Sequence, residues 1–250
     1  MFDALFTTTT EYKKLSHALS GKGACALFGL PASGRAQVYA ALCRQLDKPL
    51  CIVTPGEAEA TRFAADLNTL GIPAAVFPAR DYVLRPIEGT AREYEYRRLA
   101  VLGELVGGRL RAVAVPAEAL TQFTTPKEDF CANTRTLHAG DTLLRDDLLA
   151  ALFGAGYTRR AQVDGPGQFS VRGDIVDIFA PDQKMPVRME FWGDEIDTLH
   201  TFDLTTQRRE DAIDKFYLSP AREVLFGKPA DAAEQLRAFL AKQRGIKKTA

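Results

Sequence analysis

The chain has 250 residues, 46% of them hydrophobic and 26% charged, with a formal net charge of +0. This is an ordinary soluble globular balance, long enough for one large or two ordinary domains; it excludes an acidic disordered chain and a globally basic nucleic-acid binder. Any DNA contact has to be local.

The N-terminus carries Thr7-Thr8-Thr9-Thr10 followed by Glu11, Lys13 and Lys14 rather than an apolar signal core. No stretch approaches the roughly 20 apolar residues of a membrane span, so a cytoplasmic location with no membrane partner is expected. Cys25, Cys43, Cys51 and Cys131 lack C-x-x-C spacing, and His17, His138 and His200 are scattered. The cysteines sit in apolar runs, so buried reduced thiols are expected rather than a zinc site or disulfides, and the histidines read as structural.

An apolar, strand-like run leads into Gly29-Leu30-Pro31-Ala32-Ser33-Gly34-Arg35-Ala36, which has the frame G-x-x-x-x-G-[K]-[ST] of a phosphate-binding loop. In a working loop, backbone N–H groups cradle phosphates, a lysine reaches the terminal phosphates and a hydroxyl holds magnesium. Here Pro31 has no N–H, Arg35 replaces the lysine and Ala36 has no hydroxyl. On spacing alone, two readings stand level: a non-catalytic relic built on Gly29, Gly34, Arg35 and Ala36, and a plain strand-to-helix turn.

Beyond the loop, Val38, Ala41, Leu42 and Leu46 recur at helical spacing, and Leu50-Cys51-Ile52-Val53 reads as a buried strand closed by Pro55-Gly56. Ala60, Phe63, Ala64, Leu67 and Leu70 form a second helical stripe that Gly71 and Pro73 stop, and Ala74 to Phe77 supply a strand. A third helix is predicted from Ala91 to Val106, its Arg92, Glu93, Glu95, Arg97 and Arg98 forming a solvated face, before a strand at Ala112 to Val115. Strands alternating with helices predict a parallel, doubly wound sheet over residues 1–123.

Pro116 and Glu118 open a short helix ending near Phe123, and polar Thr124-Thr125-Pro126-Lys127 marks a boundary. Asp141 or Thr142 is expected to cap a helix carrying Leu144, Leu148, Leu149 and Leu152 to a stop at Gly154. Strands are predicted at Phe169 to Arg172, Ile175 to Phe179, Val187 to Phe191 and Ile196 to Phe202, joined by turns at Gly173-Asp174, Pro181 to Lys184 and Gly193-Asp194. This is a smaller α+β domain with an antiparallel sheet, placed at 124–212. Residues 213–250 read as the start of a following, truncated segment returning toward the first domain, with a helical stripe at Ala232, Leu236 and Phe239-Leu240.

Gly154-Ala155-Gly156-Tyr157, the run from Phe169 to Phe179, the run from Arg188 to Ile196, and Phe202-Asp203 recur in the same order in two related bacterial repair proteins. On these motifs the chain resembles the N-terminal module of transcription-repair coupling factors, itself similar to nucleotide excision repair protein B. The likeness runs from Phe28 to about Phe226. The altered loop favours the coupling factor, because excision repair protein B keeps Gly-Lys-Thr there. The stretch between Tyr82 and Arg92 is short, whereas excision repair protein B carries a DNA-probing hairpin at this place.

The resemblance implies a vestigial motor-like first domain and a second domain that docks excision repair protein A, the damage-recognition ATPase. It places Arg159, Arg172 and Phe179 at docking positions, while Ser170 departs from an arginine in excision repair protein B. The full coupling factor continues with an RNA polymerase-binding domain and an ATP- and magnesium-dependent motor that translocates on duplex DNA; neither falls within these 250 residues. No cofactor and no catalytic residue are expected here, and a monomer is the default.

Strand alternation puts Ser170 and Arg172 on one face and leaves apolar groups on both faces of the next strand. An exposed Phe179 beside Arg172 has the composition of an interface hot spot. The alternative keeps Phe179 in the domain's own core and pairs Arg172 with Asp174 or Asp177. The resemblance favours docking. Arg159-Arg160 and Arg208-Arg209 read as solvated pairs, and the two rival functions are a P-loop ATPase or helicase and a free-standing DNA-binding module.

Overall fold

The computed structural model describes residues 7–20, 24–46, 48–80, 91–225, 233–234 and 237–240. The chain divides into two compact units, Met1–Phe123 and Thr124–Ala250. Tyr82 to Thr90, Ala232 and Leu236 lie outside the described residues.

In the first unit, helices α1 (Thr10–Ser20) and α2 (Ala32–Gln45) precede strand β1 (Leu50–Thr54), helix α3 (Glu57–Thr69), strand β2 (Ala74–Val76), helix α4 (Ala91–Val106), strand β3 (Ala112–Pro116) and the short helix α5 (Ala117–Leu120). The strands form a three-stranded sheet in the order β1-β3-β2, and both pairings are parallel. Ile52, Ala112 and Ala114 point to one side, where Ala40 and Cys43 of α2 and Phe63, Ala64 and Leu67 of α3 bury them. Val113 and Val115 point to the other, against Val101 of α4 and Phe77. Helices thus lie on both faces, the arrangement that the alternation of elements predicts, but edge strand β1 is covered on one face only: Cys51 and Val53 are exposed, which corrects the reading of Leu50 to Val53 as a buried strand.

Further sequence expectations fail: of the cysteines expected to be buried only Cys43 is, whereas Cys25 and Cys51 in this unit and Cys131 in the second are exposed. The apolar run ahead of Gly29 forms no strand: Leu27 and Phe28 are exposed, Phe28 at 88%. Apolar composition cannot make a strand without a ladder partner for its backbone, and the described strands pair only with one another. Arg98, expected on a solvated face, is 0% exposed. Its guanidinium donates to the carbonyl of Pro78 at 2.7 Å and stacks on the Phe77 ring at 4.0 Å. Carbonyls and a ring at the strand ends give this charge the acceptors and the π face that make burial tolerable. Its neighbour Arg97 stays outside and pairs with Glu57.

The second unit begins with helix α6 (Lys127–Ala132), strand β4 (Arg135–His138) and helix α7 (Arg145–Gly154). Strands β5 (Thr158–Arg159), β6 (Gln168–Arg172), β7 (Ile175–Phe179), β8 (Val187–Trp192), β9 (Glu195–Phe202), β10 (Arg209–Ala212) and β11 (Lys215–Leu218) follow. A six-stranded sheet runs β10-β9-β8-β7-β6-β5, antiparallel except for the β5–β6 pair. The three predicted turns make its central hairpins; Gly173 and Gly193 take φ of +60° and +63°, where a side chain would be strained.

Helix α7 has Leu144 at its N-cap, with no side-chain cap. Asp141 instead accepts from the backbone N–H of His138 at 2.7 Å, and Thr142 bridges to Glu195, so both residues expected to cap the helix hold the preceding turn. One face of the large sheet packs Phe169, Val176, Ile178, Val187, Met189 and Phe191 against Leu148 and Leu152 of α7. Residues 213–225 stay within this unit: β11 pairs antiparallel with β4, setting Phe216 opposite Leu137.

Candidate functional site

The glycine loop and the outer face of the six-stranded sheet are the two places where sequence points to function. In the loop, α2 begins at Ala32 with Pro31 as its N-cap, so Ser33 and Gly34 are already helical. The backbone N–H of Arg35 donates to the Pro31 carbonyl at 3.0 Å. This bond takes the Arg35 N–H into the first turn of α2, and it no longer faces a ligand. The Arg35 side chain is also occupied, 3.7 Å from Glu59 and over the Phe63 ring at 5.7 Å. Only Gly29, at φ +80°, keeps the backbone freedom of a phosphate loop. Among the described residues, no group of three or more His, Cys, Asp or Glu is placed to hold a metal ion, and no helix is long and apolar enough to cross a membrane.

The outer sheet face follows from strand register. Ser170 of β6 lies opposite Asp177 of β7, which lies opposite Arg188 of β8, which lies opposite His200 of β9. One polar row therefore crosses four strands. Asp177 is 0% exposed, and the Arg188 Nε and Nη2 donate to its two oxygens at 2.7 and 3.0 Å. The same guanidinium stacks on Phe202 at 4.8 Å and donates to the Gln207 carbonyl at 3.2 Å. This bidentate, desolvated pair is the geometry in which a buried ion pair recovers its desolvation cost.

Arg172 reaches back along the face and donates through Nη2 to Asp177 Oδ2 at 2.7 Å, with 47% of its side chain exposed. One buried carboxylate thus stands between two guanidiniums, and the second positive charge faces solvent. Ser170 is buried at the head of the row, and its hydroxyl has no partner among the described residues.

Below the ion row, Phe179, Phe202 and Val163 form a small core with Leu204. Phe179 is 7% exposed, which corrects the expectation of an exposed aromatic beside Arg172. The turn after β9 folds over this core. Asp203 Oδ1 accepts from the backbone N–H groups of Thr205 and Thr206 and from the Thr206 hydroxyl, and the Gln207 amide donates to the carbonyls of Val163 and Leu204. The bonds from Thr206 hold the Asp203 carboxyl below its ordinary pKa.

The three positions expected to dock a partner are therefore not equivalent. Arg172 is presented, whereas Phe179 lies beneath the surface. Arg159 is exposed on edge strand β5, but its register partner is Phe169, which belongs to the opposite face. Alternation puts Arg159 on the other side of the sheet from Arg172. Arg172 pairs with Asp177, as the alternative reading of the sequence allowed; Arg188 was given no role there, and the available signal was one charge amid the apolar Ile-Val-Asp-Ile-Phe and two in Val-Arg-Met-Glu-Phe, strands joined by one hairpin.

Residues 136–224 match the UvrB interaction domain family, a span that begins in β4 and ends beyond β11. The chain is 28% identical over 212 residues to the transcription-repair-coupling factor of Bacillus subtilis (strain 168), covering 84% of this chain and 18% of that protein. It is 35% identical over 208 residues to the transcription-repair-coupling factor of Myxococcus xanthus, covering 79% of this chain and 17% of the relative. A likeness of 28% over 226 residues joins it to the UvrABC system protein B of Chlorobium limicola, covering 84% of this chain and 32% of that one. The chain thus spans less than two thirds of each of these relatives, and it resembles the N-terminal module of transcription-repair-coupling factors.

Proposed function

We propose that this chain is a non-catalytic adaptor module that recruits the damage-recognition ATPase, excision repair protein A, to stalled RNA polymerase in transcription-coupled nucleotide excision repair. The observation that carries this reading is the Arg172–Asp177–Arg188 triad, which lies inside the segment matching the UvrB interaction domain and presents a half-exposed guanidinium on an ordered sheet face. A guanidinium already fixed by a buried carboxylate loses little conformational freedom on binding, which favours its use as a contact. Phe179 packs beside the triad on the same face, under Val163 and Leu204, and Arg159 marks a second contact at the sheet edge. Polymerase and duplex DNA would be engaged by parts of a longer protein.

The state of the glycine loop supports a role without nucleotide chemistry. The Arg35 N–H is bonded within α2, and its side chain is engaged by Glu59 and Phe63. We read it as the relic of a phosphate-binding loop. Surface-binding measurements with the purified damage-recognition ATPase test the adaptor reading: saturable association weakened by Arg172→Ala supports it, and absence of association rejects it. Calorimetry with Mg-ATP addresses the rival, since micromolar binding lost on Arg35→Ala would establish an active nucleotide site.

A further inference from the structure

The ion row and the small core leave part of the outer face open. One register step from the triad toward the hairpin ends, Arg172, Ile175, Glu190 and Thr198 stand opposite one another across β6, β7, β8 and β9. Beyond Glu190 on the same strand comes Trp192. The register against β9 shifts between Glu190 and Phe191, yet Val187, Met189 and Phe191 all enter the core beneath, so Arg188, Glu190 and Trp192 project from the outer face. Trp192 is 82% exposed, and Ile175 is half-buried beside Arg172.

The charges around Asp177 do not cancel. It is shared by Arg188 and Arg172, while Glu190 is paired with Arg209 and accepts from the Thr198 hydroxyl at 3.3 Å. Two guanidiniums against one carboxylate leave a positive charge at the exposed end of Arg172, and exposed Glu195, opposite Trp192, places a carboxylate at the hairpin end. A surface that seats here needs a carboxylate for Arg172 within reach of an apolar recess for the indole. A large exposed aromatic next to a preordered arginine is the pairing enriched among residues that dominate binding energy.

We infer that Trp192 is the principal apolar anchor of the interface with the damage-recognition ATPase, seated with Ile175 in a recess of that partner whose rim offers a carboxylate to Arg172. This rests on the proposed adaptor role. It moves the aromatic contact from Phe179, buried within the chain's own core, to the hairpin of β8 and β9.

Trp192 is the one tryptophan of the chain, which gives the test a direct probe. The chain is prepared with 5-fluorotryptophan, its ¹⁹F resonance is followed on addition of the unlabelled ATPase, and the affinities of wild type, Trp192→Ala and Arg172→Ala are compared. The inference expects the resonance to shift or broaden on saturation, and Trp192→Ala to weaken binding about thirtyfold with an unchanged melting profile, because the indole lies outside the core. Wild-type binding that Arg172→Ala weakens, combined with an unmoved resonance and a Trp192→Ala affinity equal to wild type, overturns this inference and leaves the adaptor reading intact. Failure of the wild-type chain to bind overturns both.

Discussion

Asp177 holds together a charge arrangement whose two arginines differ in what they contribute. Arg188 is desolvated and stacked on Phe202, so removing its carboxylate partner leaves a buried cation with no counterion. Asp177→Ala is expected to cost about 3–5 kcal/mol, read as a fall in the urea midpoint at unchanged m-value. Arg172 is half in solvent, where water screens the pair, so Arg172→Ala is expected to shift stability by less than about 1 kcal/mol. The same substitution is expected to lower affinity for the damage-recognition ATPase. Equal destabilisation by the two variants would show that Arg172 serves the fold rather than a partner. A residue's charge in the sequence did not reveal this division. Arg97 and Arg98 are adjacent, yet one lies in solvent and the other is fully enclosed by Pro78 and Phe77, because a rotation of about 100° per helical residue separates them.

Two short elements show how local bonding decides what a motif can do. The motif letters of the glycine loop can be restored by Arg35→Lys with Ala36→Thr, but the helix would still start at Ala32 behind Pro31 and still consume the N–H of residue 35. The double variant is therefore expected to give no calorimetric heat with Mg-ATP above that of wild type; micromolar binding would show that only the side chains were missing. The turn from Asp203 to Gln207 depends on one carboxylate. Since Thr206, then Thr205, stabilise its charged form, its folded pKa lies below its ordinary value of 3.8, and its contribution is present above that value and lost as pH falls through the folded pKa. As pH falls below 3.8 toward that folded pKa, the amide resonances of Thr205 and Thr206 are expected to move as the turn loosens. Asp203→Asn should remove that acid-side transition, and a transition that persisted would place its origin in another carboxylate. The hairpins of the same sheet were legible because Gly173 and Gly193 fix them locally. The strand expected ahead of Gly29 was not, since its formation depends on a partner that composition does not name.

At the scale of the molecule, the sequence made the alternating α/β pattern and the antiparallel hairpins readable, because each is written within some thirty residues. The end of the second unit is written over longer range. β11 finds its partner β4 about 77 residues upstream, a pairing that neither short segment announces. Beyond β11, Tyr157 donates to the Ser219 carbonyl at 2.7 Å, the Ala221 N–H donates to the Ala155 carbonyl at 2.8 Å, and Thr124 donates to the Glu223 carboxylate at 3.0 Å. A boundary at 212 cuts through these bonds and removes Phe216 and Leu218 from the core that also holds Leu137 and Leu148. Each of those two side chains contributes about 1.5–3 kcal/mol on burial, so together they are a large part of the roughly 5–15 kcal/mol that stabilises a domain. A fragment of residues 124–225 is therefore expected to unfold cooperatively, and one of residues 124–212 to give a broad, low-midpoint transition with exposed apolar surface. Circular dichroism melts with dye binding distinguish them. Since the Arg172 triad and Trp192 both lie within 124–225, the longer fragment is also expected to bind the damage-recognition ATPase as tightly as the full chain. A cooperative 124–212 fragment would show that β11 is dispensable. A folded 124–225 fragment that bound weakly would assign part of the interface to the first unit.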